Sequence, residues 1–352
     1  MNAKYLDLYT DYLSVTFGYA AATGLSKILD GEISHDKFTR FLADGELTSG
    51  DLRKQVKPVV REVKSDDGVL IFDDSIQEKP RMDENDLIAW HYDHCAGRSV
   101  KGINLLNCLY RVNDVSIPTA FELILKPVRY SGLKTRREKR RSEVTGNELM
   151  RDMIDTCMKN QIKFTWILFD SWFSSVENME HIKLKHKKEF IGALKSNRLV
   201  ALTQDDRKNG RFTRTDQIEW TEQEAVTGRL KGLSFPVRLA RQVFTNKDGS
   251  TGILYLACSQ PAADWNTITT IYKKRWNVEV FRKSLKSNAA MAKSPARRVN
   301  AQSNHIFSSI VAVFKMECLE IRTKMNHFAL KSKLYLKAVR SAFDELKKIK
   351  AA

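Results

Sequence analysis

The sequence predicts a mixed α/β fold with helical regions at both ends. Three observations support this: helical apolar spacing over the first 60 or so residues, short apolar runs that alternate with a helical segment from Gly68 onward, and a return to long helical periodicity after Asp264. At 352 residues the chain exceeds one small domain. The segments expected are 1–62, helical; 63–197, the first part of an α/β core; 198–258, a β-rich insertion; 259–295, the helix that completes the core; and 296–352, helical and basic.

In the first segment Leu6, Tyr9, Leu13 and Phe17 recur at spacings of three and four, the signature of one helical face. Gly24 and Gly31 bracket a short helix through Leu25, Ile28 and Leu29. Ser34 is placed to cap a second helix through Phe38, Phe41 and Leu42. The pair is a helix-turn-helix candidate. Lys37 and Arg40, with His35 and Thr39, stand near the start of the second helix, where base edges and phosphates are met.

From Gly68 the period changes. Val69 to Phe72 is too short and too apolar for a helix and reads as a buried strand ending in Asp73 and Asp74. Further strands are predicted at Ile103–Val112, Pro118–Leu125, Phe164–Phe169 and Phe190–Leu194, with a helix from about Glu143 to Met158. In the insertion, strands are expected around Gln217–Trp220, Phe235–Phe244 and Ile253–Ala257, separated by turns at Asn209-Gly210 and Lys247-Asp248-Gly249. A single helix is then expected from an Asp264 cap to Lys286, with a break at Pro295.

Charge narrows the function. Lys and Arg number 59 against 42 acidic residues, a net charge of +17 spread along the chain, which points to a polyanionic partner met by folded surfaces. The basic run Arg136, Arg137, Lys139, Arg140 and Arg141 is expected to be a loop touching phosphates. No apolar run reaches the roughly 20 residues of a membrane span, and the first residues carry Asp7 and Asp11 instead of a secretory signal, so a cytoplasmic protein without membrane contact is expected. Five widely spaced cysteines form no disulfide framework. His91, His94 and Cys95 lack a second ligand pair for zinc. His181 and His186, five apart on an expected helix, would face different ways, and no phosphate-loop motif indicates a nucleotide cofactor.

The acids at strand ends carry the chemistry. Asp73 and Asp74 end one apolar strand and Asp170 ends another; carboxylates brought together there repel unless a divalent cation holds them. Set against this, Asp170 before Ser171 also fits a local cap. On the late helix, at about 100° per residue, Arg275, Glu279 and Lys286 fall within about 60° of Tyr272. A solvated charged face would look the same.

Tyr272, Arg275, Glu279 and Lys286 stand as Tyr-x2-Arg-x3-Glu-x6-Lys. With Asp74-Ser75 and Asp170, this chain resembles the bacterial insertion-sequence DDE transposases of the YREK signature, cut-and-paste enzymes that pass through a hairpin. The resemblance implies an RNase H-like (retroviral integrase-like) core with a β-strand insertion before the catalytic Glu. It implies Asp74, Asp170 and Glu279 as catalytic and metal ligands for two Mg2+ ions, for which Mn2+ could substitute, and Tyr272, Arg275 and Lys286 as residues on DNA phosphates. Asp74 is preferred to Asp73 because the family's acid precedes Thr or Ser, and strand alternation lets only one of the two face the site. Some relatives stack an extruded base on an insertion tryptophan; here Tyr255 or Trp220 would have to serve. The implied partners are double-stranded DNA, as element ends and target, and a second copy when ends are paired. A non-catalytic DNA-binding regulator, an inactive transposase, and an RNase H-like nuclease without strand transfer remain open alternatives.

Overall fold

The computed structural model describes residues 2–93, 96–131, 138–246 and 248–351. Four helices open the chain: α1 (Ala3–Val15), α2 (Ala22–Ile28), α3 (His35–Ala43) and α4 (Ser49–Val63). The side chain of Asn2 caps α1 by accepting from the Tyr5 amide, and a Thr48–Asp51 capping box starts α4. Leu52, Val56 and Val60, spaced by four, are the buried stripe of α4.

The core strands follow: β1 (Val69–Glu78), β2 (Ala89–Asp93), β3 (Arg98–Val112) and β4 (Val115–Leu123), then the small hairpin β5 (Val128–Ser131) and β6 (Glu138–Arg141). After α5 (Gly146–Lys159) come β7 (Trp166–Phe169), α6 (Val176–Glu180), a π-helical turn over His181–Lys185, and β8 (Glu189–Leu194). β1 runs antiparallel to β3 and parallel to β7, and β7 runs parallel to β8. An antiparallel meander therefore continues into parallel strands joined by a helix, the mixed α/β, RNase H-like arrangement expected.

The insertion is β9 (Leu199–Ala201), α7 (Gln204–Lys208), β10 (Thr213–Arg214), β11 (Ala225–Leu230), β12 (Val237–Thr245) and β13 (Thr251–Cys258). Its strands extend the core sheet, because β13 pairs antiparallel with β8, giving the order β10-β9-β11-β12-β13-β8-β7-β1-β3-β2 with β4 also on β3. The strand expected at Gln217–Trp220 does not form. Thr215–Gln217 is a 3-10 turn there, and β11 lies further on.

The expected single helix from Asp264 to Lys286 is also corrected. Asp264 does cap it, accepting from the Thr267 amide, but the segment divides into α8 (Trp265–Lys273), a 3-10 turn at Lys274–Trp276 and α9 (Asn277–Ser287). Then come α10 (Val299–Thr323) and α11 (His327–Ala351).

α10 is buried along most of its first four turns and receives the N-terminal helices. Its Asn304 donates to the carbonyls of Leu42 and Gly45 and accepts from the Leu47 amide, while His305 Nδ1 lies 2.9 Å from the Tyr9 hydroxyl. Ser308 and Ser309 return their hydroxyls to backbone carbonyls one turn back, which is how a helix with polar residues is tolerated in a core. No helix among the described residues is long and apolar enough to cross a membrane. The four described cysteines are free thiols.

Candidate active site

β1 and β7 set the site. Both strands are apolar and fully buried up to Phe72 and Phe169, which are paired in register. The next residues, Asp73 and Asp170, therefore stand side by side, but β1 does not end at Asp73 and Asp74 as expected: it runs on to Glu78 because β3 keeps pairing with it, and Asp74 follows on the opposite face of β1 from Asp73.

Asp73 points inward, is 4% exposed, and accepts from Arg275 Nη1 at 3.0 Å and Arg282 Nη1 at 3.2 Å. Burial pushes its carboxyl up to about 7, against the pull of Arg282 and Arg275, and Asp170 and Asp74 push the same way as burial. Asp74 is half-buried, and its Oδ2 accepts from Asn104 Nδ2 of β3 at 2.8 Å. Burial also raises Asp74; the Asn104 bond opposes this and the Asp170 charge adds to it. Asp170 does serve its turn, since Oδ1 accepts from the Trp172 amide at 2.9 Å.

α8, the 3-10 turn and α9 bring the second half of the site. Three residues at about 3.0 per turn instead of about 3.6 advance the helix by roughly 60°, which moves Glu279 from about −20° to about +40° relative to Tyr272, across the stripe that uniform periodicity assigns them. Tyr272 is 7% exposed, donates to the Phe169 carbonyl at 3.3 Å, and so ties α8 to the end of β7 beside Asp170. Burial raises its phenol above the ordinary range. Arg275 is spent on Asp73, with Asp170 and Glu279 also near enough to favour its charge. Glu279 turns Oε1 to Arg282, 3.1 Å away. Lys286 is exposed near the end of α9.

Asp73, Asp170 and Glu279 thus gather around Arg275, with Arg282 shared by Asp73 and Glu279, while Asp74 on the opposite face of β1 feels the Asp170 and Arg282 charges. Their oxygens do not all lie within 4.8 Å of one another. Among the described residues, only Asp155, His181 and His186, and Glu317, Glu320 and His327, form groups of three that close. Hard carboxylate oxygens, with burial raising Asp73 and Asp74 and the Asp170 charge adding to both, suit a hard divalent cation. Glu279 would have to leave Arg282 to join them.

The remaining candidates are placed as follows. Lys37 and Arg40 are exposed on α3. Arg136 and Arg137 lie outside the described residues. The basic run continues into strand β6, where Arg141 is exposed, but the Arg140 side chain is only 6% exposed and pairs with Asp86 at 2.7 Å, a structural ion pair where a phosphate contact was expected. Tyr255 and Trp220 do not offer open faces: their rings pack on each other at 5.8 Å, Tyr255 is buried, and Trp220 Nε1 donates to the Thr215 carbonyl.

Burial pushes His91, on β2, down to about 3, while His94 and Cys95 lie outside the described residues. His181 and His186 correct the helical expectation. The π turn aligns residues five apart, and both rings reach Asp155 Oδ1, at 2.7 and 2.5 Å.

Sequence reasoning missed Arg282 and Asn104. Arg282 carried a signal, its i,i+3 spacing from Glu279, and Asn104 is a polar residue inside an apolar strand pattern. It also missed Trp172, 46% exposed with Lys195 over its ring, beside a cavity of about 440 Å3 bordered by Arg198 and Lys231.

No curated protein sequence matches the chain. Among solved structures the chain is similar to the Drosophila P element transposase strand transfer complex, at 13% identity and a TM-score of 0.28, over 52% of this chain and 36% of that one. The profile described as DDE superfamily endonuclease matches residues 11–232, a stretch that contains Asp74 and Asp170 and ends before Glu279. With well over half of its length matched, this chain belongs to the DDE superfamily endonuclease family.

Proposed function

We propose that this protein is a DNA transposase of the insertion-sequence type. It would bind the terminal inverted repeats of its element and catalyse cleavage, hairpin formation and strand transfer, acting as a homodimer on paired ends. The observation that supports the reading is the cluster of Asp73, Asp74 and Asp170 on neighbouring strands, with Arg275 and Arg282 linking Asp73 to the side of Glu279. The family supports the nuclease chemistry.

In this reading Asp74, Asp170 and Glu279 hold two Mg2+ ions, and Mn2+ substitutes because the donors are hard oxygens. Such ions, when bound, activate an attacking oxygen and stabilise the leaving one. Asn104 orients Asp74 through Oδ2. Arg282 neutralises Glu279 and Asp73 before loading, Arg275 fixes Asp73, and Tyr272 fixes the helix to β7. Asp74 is favoured over Asp73 because both arginines already occupy Asp73. Lys286, exposed on α9, meets the phosphates of the element end, and Lys37, Arg40 and Arg141 extend the basic surface. The protein acts in the bacterial cytoplasm on the nucleoid.

The test uses short duplexes carrying the element's ends, with and without Mg2+. Asp74→Asn, Asp170→Asn and Glu279→Gln should each lose cleavage while retaining end binding. Normal nicking by any one removes that residue from the triad. Cutting without joining by the parent protein would favour a nuclease that lacks strand transfer.

A further inference from the structure

We propose a second cation site, separate from the triad, at the junction of α10 and α11: Glu317 Oε2, Glu320 Oε2 and His327 Nε2 hold a divalent transition cation of the Zn2+ class. Glu317 and Glu320 stand one turn apart on α10, and His327 opens α11. His327 Nε2 lies 3.2 Å from the Glu317 oxygen and 3.5 Å from the Glu320 oxygen. Ligand atoms roughly 2.0–2.2 Å from a tetrahedral cation are separated by about 3.3–3.6 Å, so a cation enters with small adjustments.

A charged histidine held by two carboxylates is the competing account, and the hydrogen-bond geometry speaks against it. His327 is 7% exposed, yet its Nε2 has no hydrogen-bond partner, because neither oxygen lies where a ring N–H would meet it. The other ring nitrogen is engaged: Nδ1 is 2.9 Å from Ser284 Oγ, which also accepts from Asn288 Nδ2 at 3.1 Å. With Nδ1 as the donor, the Nε2 lone pair faces the two carboxylates, the tautomer a metal-bound histidine requires. Glu317 is held in turn, since Oε1 accepts from the Ser116 amide at 2.7 Å. The nearby cation Arg111 is directed to Asp114 and Ser116, although Glu317 and Glu320 favour its charge.

The three ligands border a cavity of about 330 Å3, also lined by Arg111, Asn277 and Phe328, which leaves room for water as a fourth ligand. Nitrogen beside two carboxylate oxygens suits Zn2+ and does not suit Mg2+, which keeps to oxygen. Such an ion would join α10 and α11 and, through Ser284, brace the helix that carries Glu279.

The experiment uses the full chain with Asp74→Asn and Glu279→Gln, so that the triad adds no binding, stripped of metal by a chelator and titrated with Zn2+ alone. The expected result is one Zn2+ per chain by equilibrium dialysis and a raised thermal midpoint, neither reproduced by Mg2+. Ser284→Ala should weaken binding by about 10–100-fold. Glu320→Gln, at a carboxylate still 37% exposed in the fold, should weaken it at least as much, with circular dichroism unchanged. The proposal is overturned if the parent binds no Zn2+, if Glu320→Gln and His327→Gln bind it as tightly as the parent, or if His186→Gln removes the bound ion instead.

Discussion

Arg282→Gln should tighten divalent cation binding at the triad. Arg282 lies 3.1 Å from Glu279 and 3.2 Å from Asp73, so in the metal-free protein its guanidinium is the counter-ion that a bound cation would replace. Loading must break the Arg282–Glu279 pair and bring positive charge close to a fixed positive charge. The pair is partly exposed, 22% and 35% for the two side chains, so solvent screens it. Its worth belongs in the range of about 0.2–1 kcal/mol measured for such pairs, well below a buried-pair figure. Removing an obstacle of about 1 kcal/mol raises affinity about five-fold. Glutamine retains an amide donor for Asp73, and Arg275 remains paired to that carboxylate, so the fold should hold. Calorimetric titration of metal-depleted protein with Mn2+ reads the change, which should shrink as added salt screens the guanidinium. Unchanged or weaker Mn2+ binding by Arg282→Gln would refute the assignment of Arg282 as the competing charge and of Glu279 as a ligand.

Other outcomes follow from the same geometry. Burial holds the Asp73 carboxyl at about 7 in the folded chain, above the roughly 3.9 of an unfolded aspartate, so the folded state binds the extra proton. Its contribution to stability is therefore full below about pH 4 and lost as pH rises towards about 7. Asp73→Asn should flatten that fall, measured by urea unfolding of the metal-free protein at about pH 5 and about pH 7.5; an unchanged slope would count against the titration of Asp73. Gly102 sits where a Cβ would come 2.4 Å from the Gln77 carbonyl oxygen on β1, so Gly102→Val should cost roughly 1–3 kcal/mol of stability by forcing the β1–β3 ladder apart. A wild-type denaturation midpoint would show that the strands yield. Lys286→Ala should lower the salt dependence of end binding by about one counterion without lowering stability, whereas Arg140→Ala should lower stability and leave that salt slope unchanged. The reverse pattern in binding and melting data would exchange their roles.

The legible parts of the site were those carried by local pattern. An apolar run followed by Asp-Asp within β1, a second followed by Asp-Ser just after β7, and the Tyr, Arg, Glu, Lys spacing, which crosses from α8 through the 3-10 turn into α9, are all local patterns. Each is placed by a period of 2.0 or about 3.6 residues that the sequence itself displays. Illegible were the two departures from period. The 3-10 turn at Lys274–Trp276 shifts the phase of Glu279 against Tyr272 by roughly 60°, and the π turn at His181–Lys185 swings His186 onto the face of His181. No residue in either turn is a glycine or a proline, so nothing in the composition announces the change.

By itself, then, the sequence missed β2, the β5–β6 hairpin and β9 to β11, but it determined the mixed α/β class, the main core strands, the terminal helices and the basic character of the whole. These depend on neighbours a few residues away. Tertiary structure decided which side chains meet: Asp73 with Arg275 and Arg282, more than 200 residues later, Arg140 with Asp86, and the Tyr255 ring with that of Trp220. Such pairings are fixed by strand register and helix phase accumulated along the packed sheet, and an error of one residue in either would reverse the face each side chain presents.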